Sequence, residues 1–358
     1  MTHLTSRARH PALRRVHRFQ RLAVWTCAVL LSACAGGPLS GTGASRGLDY
    51  TSEAREMSPI PASERNLPTA LAEPYYKVSD KPMPLEALAF DREGNLLFAD
   101  IFGGRVLRLT PDLKLTVIFT DKTLTPTGIA IHQDGRIFVA SVGNLAAGRL
   151  IALDPDGSHP QIIVPESAGY VPDDLVFDQK GGVYFTDCKG GSTRPSGGVY
   201  YVAPDAKTIT PLLPNMAMAN GVTLSPDGKV LWATEFAAGR LHRLDLDEQG
   251  GIAPFGAAVP YQFTGRAPDS MRTDTDGNVY VAMFHQARIL VFSPNGVPIG
   301  QILLPEREQN HFLNVSSMAF LPGSREMVIV AWDEVGGRGA MIFKAQGFAK
   351  GATLFSHR

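Results

Sequence analysis

Five glycines, Gly94, Gly135, Gly181, Gly228 and Gly277, each close one strand-like run and open another, at spacings of 41, 46, 47 and 49 residues. A repeat of that length restricts the chain to architectures in which one small unit is stacked on copies of itself. The turns that carry the glycines read Asp91-Arg-Glu-Gly94, His132-Gln-Asp-Gly135, Asp178-Gln-Lys-Gly181, Ser225-Pro-Asp-Gly228 and Asp274-Thr-Asp-Gly277. Turns of this composition, with glycine supplying positive φ, join antiparallel strands.

The segments after the turns, from Leu96 to Ala99, Ile137 to Ala140, Val183 to Thr186, Val230 to Ala233 and Val279 to Ala282, are apolar nearly throughout, as strands buried on both faces must be. Third segments follow, such as Arg105-Val-Leu-Arg-Leu and Arg288-Ile-Leu-Val-Phe, with a half-exposed pattern. A sixth, degenerate copy runs through Phe320-Leu-Pro-Gly323, Met327 to Trp332 and Met341 to Phe343. Short strands in units of 40 to 50 residues predict an all-β fold, a six-bladed β-propeller with four-stranded antiparallel blades around a central channel. Stacked sandwiches or a β-solenoid are the alternatives, and sandwiches do not repeat so regularly. Either residues 70 to 80 or Ala352 to Ser356 are expected to complete the last blade.

In a propeller the first strand of each blade lines the channel, so a position fixed relative to its turn recurs around the axis. Eight residues before each turn glycine stand Glu86, Thr127, Asp173, Asn220 and Asp269, and the sixth copy, counted from Ser324, gives Ser316. All are polar. Three carboxylates in one narrow channel repel unless a cation neutralises them. Carboxylate and amide oxygens without imidazole or thiolate form a hard donor set that favours calcium, then magnesium or manganese, over zinc. His132, His159, His242, His285, His311 and His357 are all off the axial positions. The competing reading is a water-filled channel of an interaction propeller.

The chain starts with a basic stretch, Arg14, Arg15, Arg18 and Arg21, followed by an apolar run from Leu22 to Leu31 that is too short for a stable membrane span. Leu31-Ser-Ala-Cys34 resembles a bacterial lipobox. The expected organisation is a signal peptide over 1–33, a lipidated Cys34 and Gly/Ser/Ala/Pro-rich linker over 34–66, and the propeller over 67–358. This places the protein in the bacterial cell envelope, facing the periplasm, with membrane contact through the lipid anchor. Without the six arginines of residues 1–33, 28 basic residues stand against 34 acidic ones, which excludes a nucleic-acid binder. Cys27 leaves with the signal and Cys34 is acylated, so Cys188 stands alone and the fold has no intramolecular disulfide; it is expected to be inert. A monomer is expected.

Asp173-Asp-Leu-Val-Phe-Asp, Gly181-Gly-Val-Tyr-Phe-Thr-Asp, Ala219-Asn-Gly, Pro268-Asp-Ser and Gly300-Gln-Ile-Leu together resemble the gluconolactonase and regucalcin family, over roughly residues 70 to 355. The resemblance implies a calcium-dependent lactonase, the metal being exchangeable for manganese, magnesium or zinc. It places the ion on Glu86, Asp173, Asn220, Asp269 and Ser270, with Asp269 as proton donor and acceptor. Thr127 and Ser316 are candidates for substrate contact. Two departures stand out. A second, structural calcium known in the family would fall at Pro165 and the Ala146 and Ala147 pair, which offer no side-chain oxygen. Many gluconolactonases carry glycine after the first glutamate and asparagine where Thr127 stands, so a sugar-acid lactone is less secure as substrate.

The expected reaction is hydrolysis of a lactone to a hydroxy acid, with Asp269 moving the proton. Asp100, Asp174 and Asp187 are candidates to orient the ligands or, as turn residues, to cap loops. Tyr261, Phe263, Phe284 and Phe312 are candidates to contact an apolar lactone or to pack the core. A non-catalytic envelope propeller and a paraoxonase-type hydrolase are the alternatives; the second calls for histidines by the ion, and the axial ring has none.

Overall fold

The computed structural model describes residues 56–334 and 337–358. The proposed signal peptide, Cys34 and most of the linker lie outside the described residues. Six antiparallel blades follow one another around an axis, and each runs from an inner strand outward. Blade 1 is built from Leu85–Phe90, Leu96–Asp100, Arg105–Leu109 and Leu115–Thr120, and blades 2 to 5 repeat this order through Leu303. Their inner strands are Pro126–Ile131, Pro172–Phe177, Ala219–Leu224 and Pro268–Thr273. Blade 6 has Asn314–Phe320 innermost, then Glu326–Trp332 and Ala340–Gln346.

Ring closure uses the first of the two candidate segments. Glu73–Ser79 pairs antiparallel with Ala340–Gln346 as the outer strand of blade 6, Glu73 opposite Lys344. Just before it, Thr69–Leu71 adds a parallel strand to the edge of blade 5. Ala352 to Ser356 instead cross the far end of the channel. The Ala352 amide donates to the carbonyl of Thr273, and Phe355 packs its ring 5.0 Å from His132 and 5.6 Å from Phe177. The cavity left between Phe355 and the inner strands is about 40 Å³, room for a few waters and no more.

The continuously apolar second strands have a plain cause. Each blade is a sheet with neighbours on both faces, so side chains of either parity are buried. Among the described residues each junction between neighbouring blades holds its own apolar cluster, such as Leu97, Val106, Ile129 and Val139 between blades 1 and 2. Removing the side chain of one such leucine costs about 2–5 kcal/mol.

The folded part begins earlier than the boundary near residue 67. Glu64 is buried and stands 2.6 Å from the buried guanidinium of Arg288, while Ser58 hydrogen-bonds the carbonyl of His285. An isolated acid in a polar stretch looks like linker in sequence. Its long-range partner on blade 5 makes it structural.

Candidate metal centre in the central channel

Strand register puts the polar ring at one end of the channel. Glu86 lies opposite Ala99, Pro126 opposite Ser141, Pro172 opposite Asp187, Ala219 opposite Glu235 and Pro268 opposite Met283. The ring residues therefore sit at the starts of the inner strands, level with the loops that join second to third strands. At each ring position the pairing register shifts, between Glu86 and Ala89, Pro126 and Gly128, Pro172 and Leu175, Ala219 and Val222, Pro268 and Met271, and Val315 and Ser317. A bulge re-aims a side chain. Here it occurs in all six inner strands beside the channel-lining residue.

The bulges also let neighbouring blades close in. A Cβ on Gly128 would stand 2.2 Å from the carbonyl oxygen of Asp173, and one on Gly221 would stand 2.4 Å from that of Asp269. Ala87 holds φ +63°, a left-handed conformation that costs a side-chain-bearing residue about 1–2 kcal/mol. Glycine would adopt the same conformation without that cost. The Ala87 amide donates to Oε2 of Glu86 at 3.0 Å and sets the carboxylate's orientation.

The structure brings Glu86, Asp173, Asn220, Asp269 and Ser270 together. The Ser270 hydroxyl is 3.4 Å from Oε2 of Glu86, across from blade 5 to blade 1. Burial pushes the Glu86 carboxyl well above the usual carboxylate range, and Asp269 and Asp173 push it further. The Asp269 carboxyl is raised in the same way, by burial first and Asp173 next, against a hydrogen bond from Asn220. Asp173 is raised to about 6 by burial, opposed by hydrogen bonds from Thr127 and Cys188. Oδ1 of Asp269 is buried without a hydrogen-bond partner. These four polar side chains and Ser270 are each less than a tenth exposed.

Among the described residues, no three His, Cys, Asp or Glu side chains hold a metal geometry by themselves. The donor set is completed only by counting Asn220 and Ser270. Mutually repelling acids with an orphaned carboxylate oxygen, in an all-oxygen set, fit a hard divalent cation.

The other two ring members serve differently. Ser316 has no exposed surface and donates to the Leu85 carbonyl at 2.6 Å, so its hydroxyl braces blade 6 against blade 1 and is not free for a substrate. Thr127 Oγ1 is 3.2 Å from the Asp173 carbonyl and reaches the same residue's carboxylate. Thr234 ties blade 4 to the Asp269 carbonyl at 2.9 Å. Side-chain hydroxyls thus tie neighbouring blades together at the level of the ring.

The family pattern described as "SMP-30/Gluconolactonase/LRE-like region" matches residues 86–331. The chain belongs to the SMP-30/gluconolactonase family. The chain is 48% identical over 309 residues to lactonase drp35 of Staphylococcus saprophyticus, covering 85% of this chain and 95% of that protein. It is 46% identical over 313 residues to lactonase drp35 of Staphylococcus aureus, covering 86% and 96%. Among solved structures, a calcium-binding regucalcin of Agrobacterium tumefaciens superposes with TM-score 0.65 at 18% identity, over 79% of this chain and 98% of that one. A gluconolactonase of Xanthomonas campestris superposes with TM-score 0.62 at 19% identity, over 77% and 94%. Relatives named lactonase support lactone hydrolysis by this member of the SMP-30/gluconolactonase family.

Sequence reading missed two groups that touch this family member's channel. Cys188 hydrogen-bonds Asp173, and burial pushes its thiol well up, which keeps it protonated and agrees with the expectation that it is inert. Arg272 reaches in from blade 5 to Asp174 and to the Leu88 carbonyl at 3.2 Å. The arginine two residues beyond Ser270 was the available signal, since an inner strand has little room for an unpaired charge. Of the other candidates, Asp100 caps its own turn through Gly103 and Arg105, and Asp187 accepts from the Val171 amide at 2.8 Å. Tyr261 and Phe263 pack with Phe292, and Phe312 packs with Phe343, which leaves Phe284 at the channel end beside Phe236.

Proposed function

We propose that the protein is a metal-dependent lactonase that opens a cyclic ester to its hydroxy acid at the channel ring. The observation that carries the reading is the buried, unpartnered Oδ1 of Asp269 within a set of three mutually repelling carboxylates. Glu86, Asp173, Asn220, Asp269 and Ser270 would hold the cation, with calcium fitting the donor set best. A cation bound there supplies Lewis-acid polarisation of the lactone carbonyl.

The chain's own groups supply the rest. Asp269 takes a proton from the attacking water as the new carbon–oxygen bond forms, and returns it to the ring oxygen as the ring bond breaks. Asn220 fixes the orientation of that carboxylate by donating to it. Ser270 holds Glu86 in place. The floor formed by Phe355 restricts water from the far end.

Acid release from a panel of lactones, with and without chelator, tests the proposal on the full chain. Turnover abolished by chelation and restored by calcium is expected. Turnover indifferent to chelation, or none across the panel, would return the molecule to the class of binding propellers.

A further inference from the structure

The end of the channel that carries the ring also carries exposed apolar side chains and the start of the packed chain. Phe102 sits in the loop from Asp100 to Arg105, and is 79% exposed. Leu145 sits in the equivalent loop of blade 2, is 62% exposed, and holds φ +65°. Both loops lie level with Glu86 and Thr127, because Leu85 pairs with Asp100 and Pro126 with Ser141. On the opposite side of the axis Ser58 is fixed to blade 5 by the His285 carbonyl and by Arg307, whose Nη2 donates to the Ser58 carbonyl at 2.6 Å. His285 lies in the equivalent loop of blade 5, between Met283 and Arg288. Met57, next to this clamp, is 71% exposed.

Three large apolar side chains thus stand proud on both sides of the channel end, and the residues that lead back to Cys34 join the fold at that same end. Inside the lip, Phe236, Phe284 and Trp332 form an aromatic arc over blades 4, 5 and 6, with ring centroids 5.9 and 5.7 Å apart.

We infer that this face docks on a lipid surface, and that the ring receives lactones whose alkyl chains are dissolved in that surface. The occupant follows from the chain itself: Met57 and Ser58 join the fold at this end, and the sequence ahead of them carries the lipobox-like Leu31-Ser-Ala-Cys34. Insertion of Phe102, Leu145 and Met57 buries too little apolar surface to hold a protein alone. Added to a covalent lipid it becomes the second signal that fixes orientation. The aromatic arc then meets an alkyl chain rising from the bilayer while the carbonyl reaches the acids. The docking half stands independently of catalysis; the substrate half rests on the lactonase reading.

The test uses the full chain in phosphatidylethanolamine–phosphatidylglycerol vesicles. Nitroxide labels are placed at Phe102→Cys, Leu145→Cys and, at the opposite channel end, Val297→Cys. Labels at 102 and 145 are expected to gain access to oxygen and lose access to a nickel chelate by several-fold on vesicles, with 297 unchanged. Equal nickel access at all three sites, or failure of the protein to remain with vesicles, overturns docking. In the second arm, Phe102→Ser with Leu145→Ser lowers kcat/KM about tenfold for a long-chain lactone in vesicles and leaves a short soluble lactone unaffected. Equal loss on both lactones, or no loss, overturns the substrate half. Absence of all turnover in the parent sinks the lactonase reading while the label arm still decides docking.

Discussion

Arg272 of blade 5 donates to Asp174 of blade 3 at 3.3 Å, spanning the channel past blade 4 just below the acid ring. Asp174 raises the carboxyls of Glu86, Asp173 and Asp269, and it is itself raised by burial while Arg272 lowers it. The ion pair therefore separates the ring from the small cavity beneath and offsets part of the repulsion that a fourth buried carboxylate adds to the ring.

Arg272→Met leaves Asp174 buried without its cation, a loss of about 3–5 kcal/mol of unfolding free energy. Adding Asp174→Asn should recover much of it, because the amide still accepts from the Leu175 amide. Urea unfolding of the two single variants and the double decides; additive losses would show that the pair is not coupled.

Asp269→Asn should fold with an unchanged melting temperature or a higher one, since it relieves repulsion. Divalent-ion affinity should drop and kcat/KM fall by about 10³-fold, the scale expected when a positioned proton-transfer group is lost. Calorimetric titration of the ion and lactone kinetics are the two measurements. Full activity in this variant removes the residue from the role proposed for it.

Acidity provides a third check. Asp173 is raised to about 6 in the folded protein from its ordinary 3.8, so in the metal-free state the native fold binds the extra proton between those values. The associated stability is complete below about pH 4 and is lost as pH rises through about 6, amounting to at most about 3 kcal/mol. Chelated protein should melt at falling temperature across that window, and Asp173→Asn should make the fall shallower, leaving the share that Glu86 and Asp269 contribute. Excess calcium should reverse it, because ion binding displaces the protons. Thermal melts from pH 4 to 7 read all three; a slope unaltered by the substitution assigns it elsewhere.

Glu64→Gln breaks the buried contact with Arg288 and should cost about 3–5 kcal/mol, with proteolysis then cutting ahead of Leu67 at lower protease doses. If the segment were an unpacked tether, neither the melting temperature nor the digestion pattern would change.

The blade order was legible because turn glycines and doubly buried strands leave a periodic trace, and the count of eight residues from Gly94 or Gly277 works because inner strand and turn keep one length. The bulges were not legible. They depend on where a neighbouring blade's carbonyl arrives, as Gly128 facing Asp173 shows, and nothing local to Gly128 encodes that approach. Ser316 matched the pattern of the ring but not its use, since the same hydroxyl serves a ligand or a backbone carbonyl equally well. Glu64, Arg288, Asp174 and Arg272 were unreadable as pairs because their partners lie far along the chain or across the hub.

Glu73 meets Lys344 only after 271 further residues have been made. A ring sealed by its first strand against its last sheet cannot latch during synthesis. Until blade 6 is complete, the ring has an unpaired seam, and the first five blades stand as an open stack that only the finished last sheet can close.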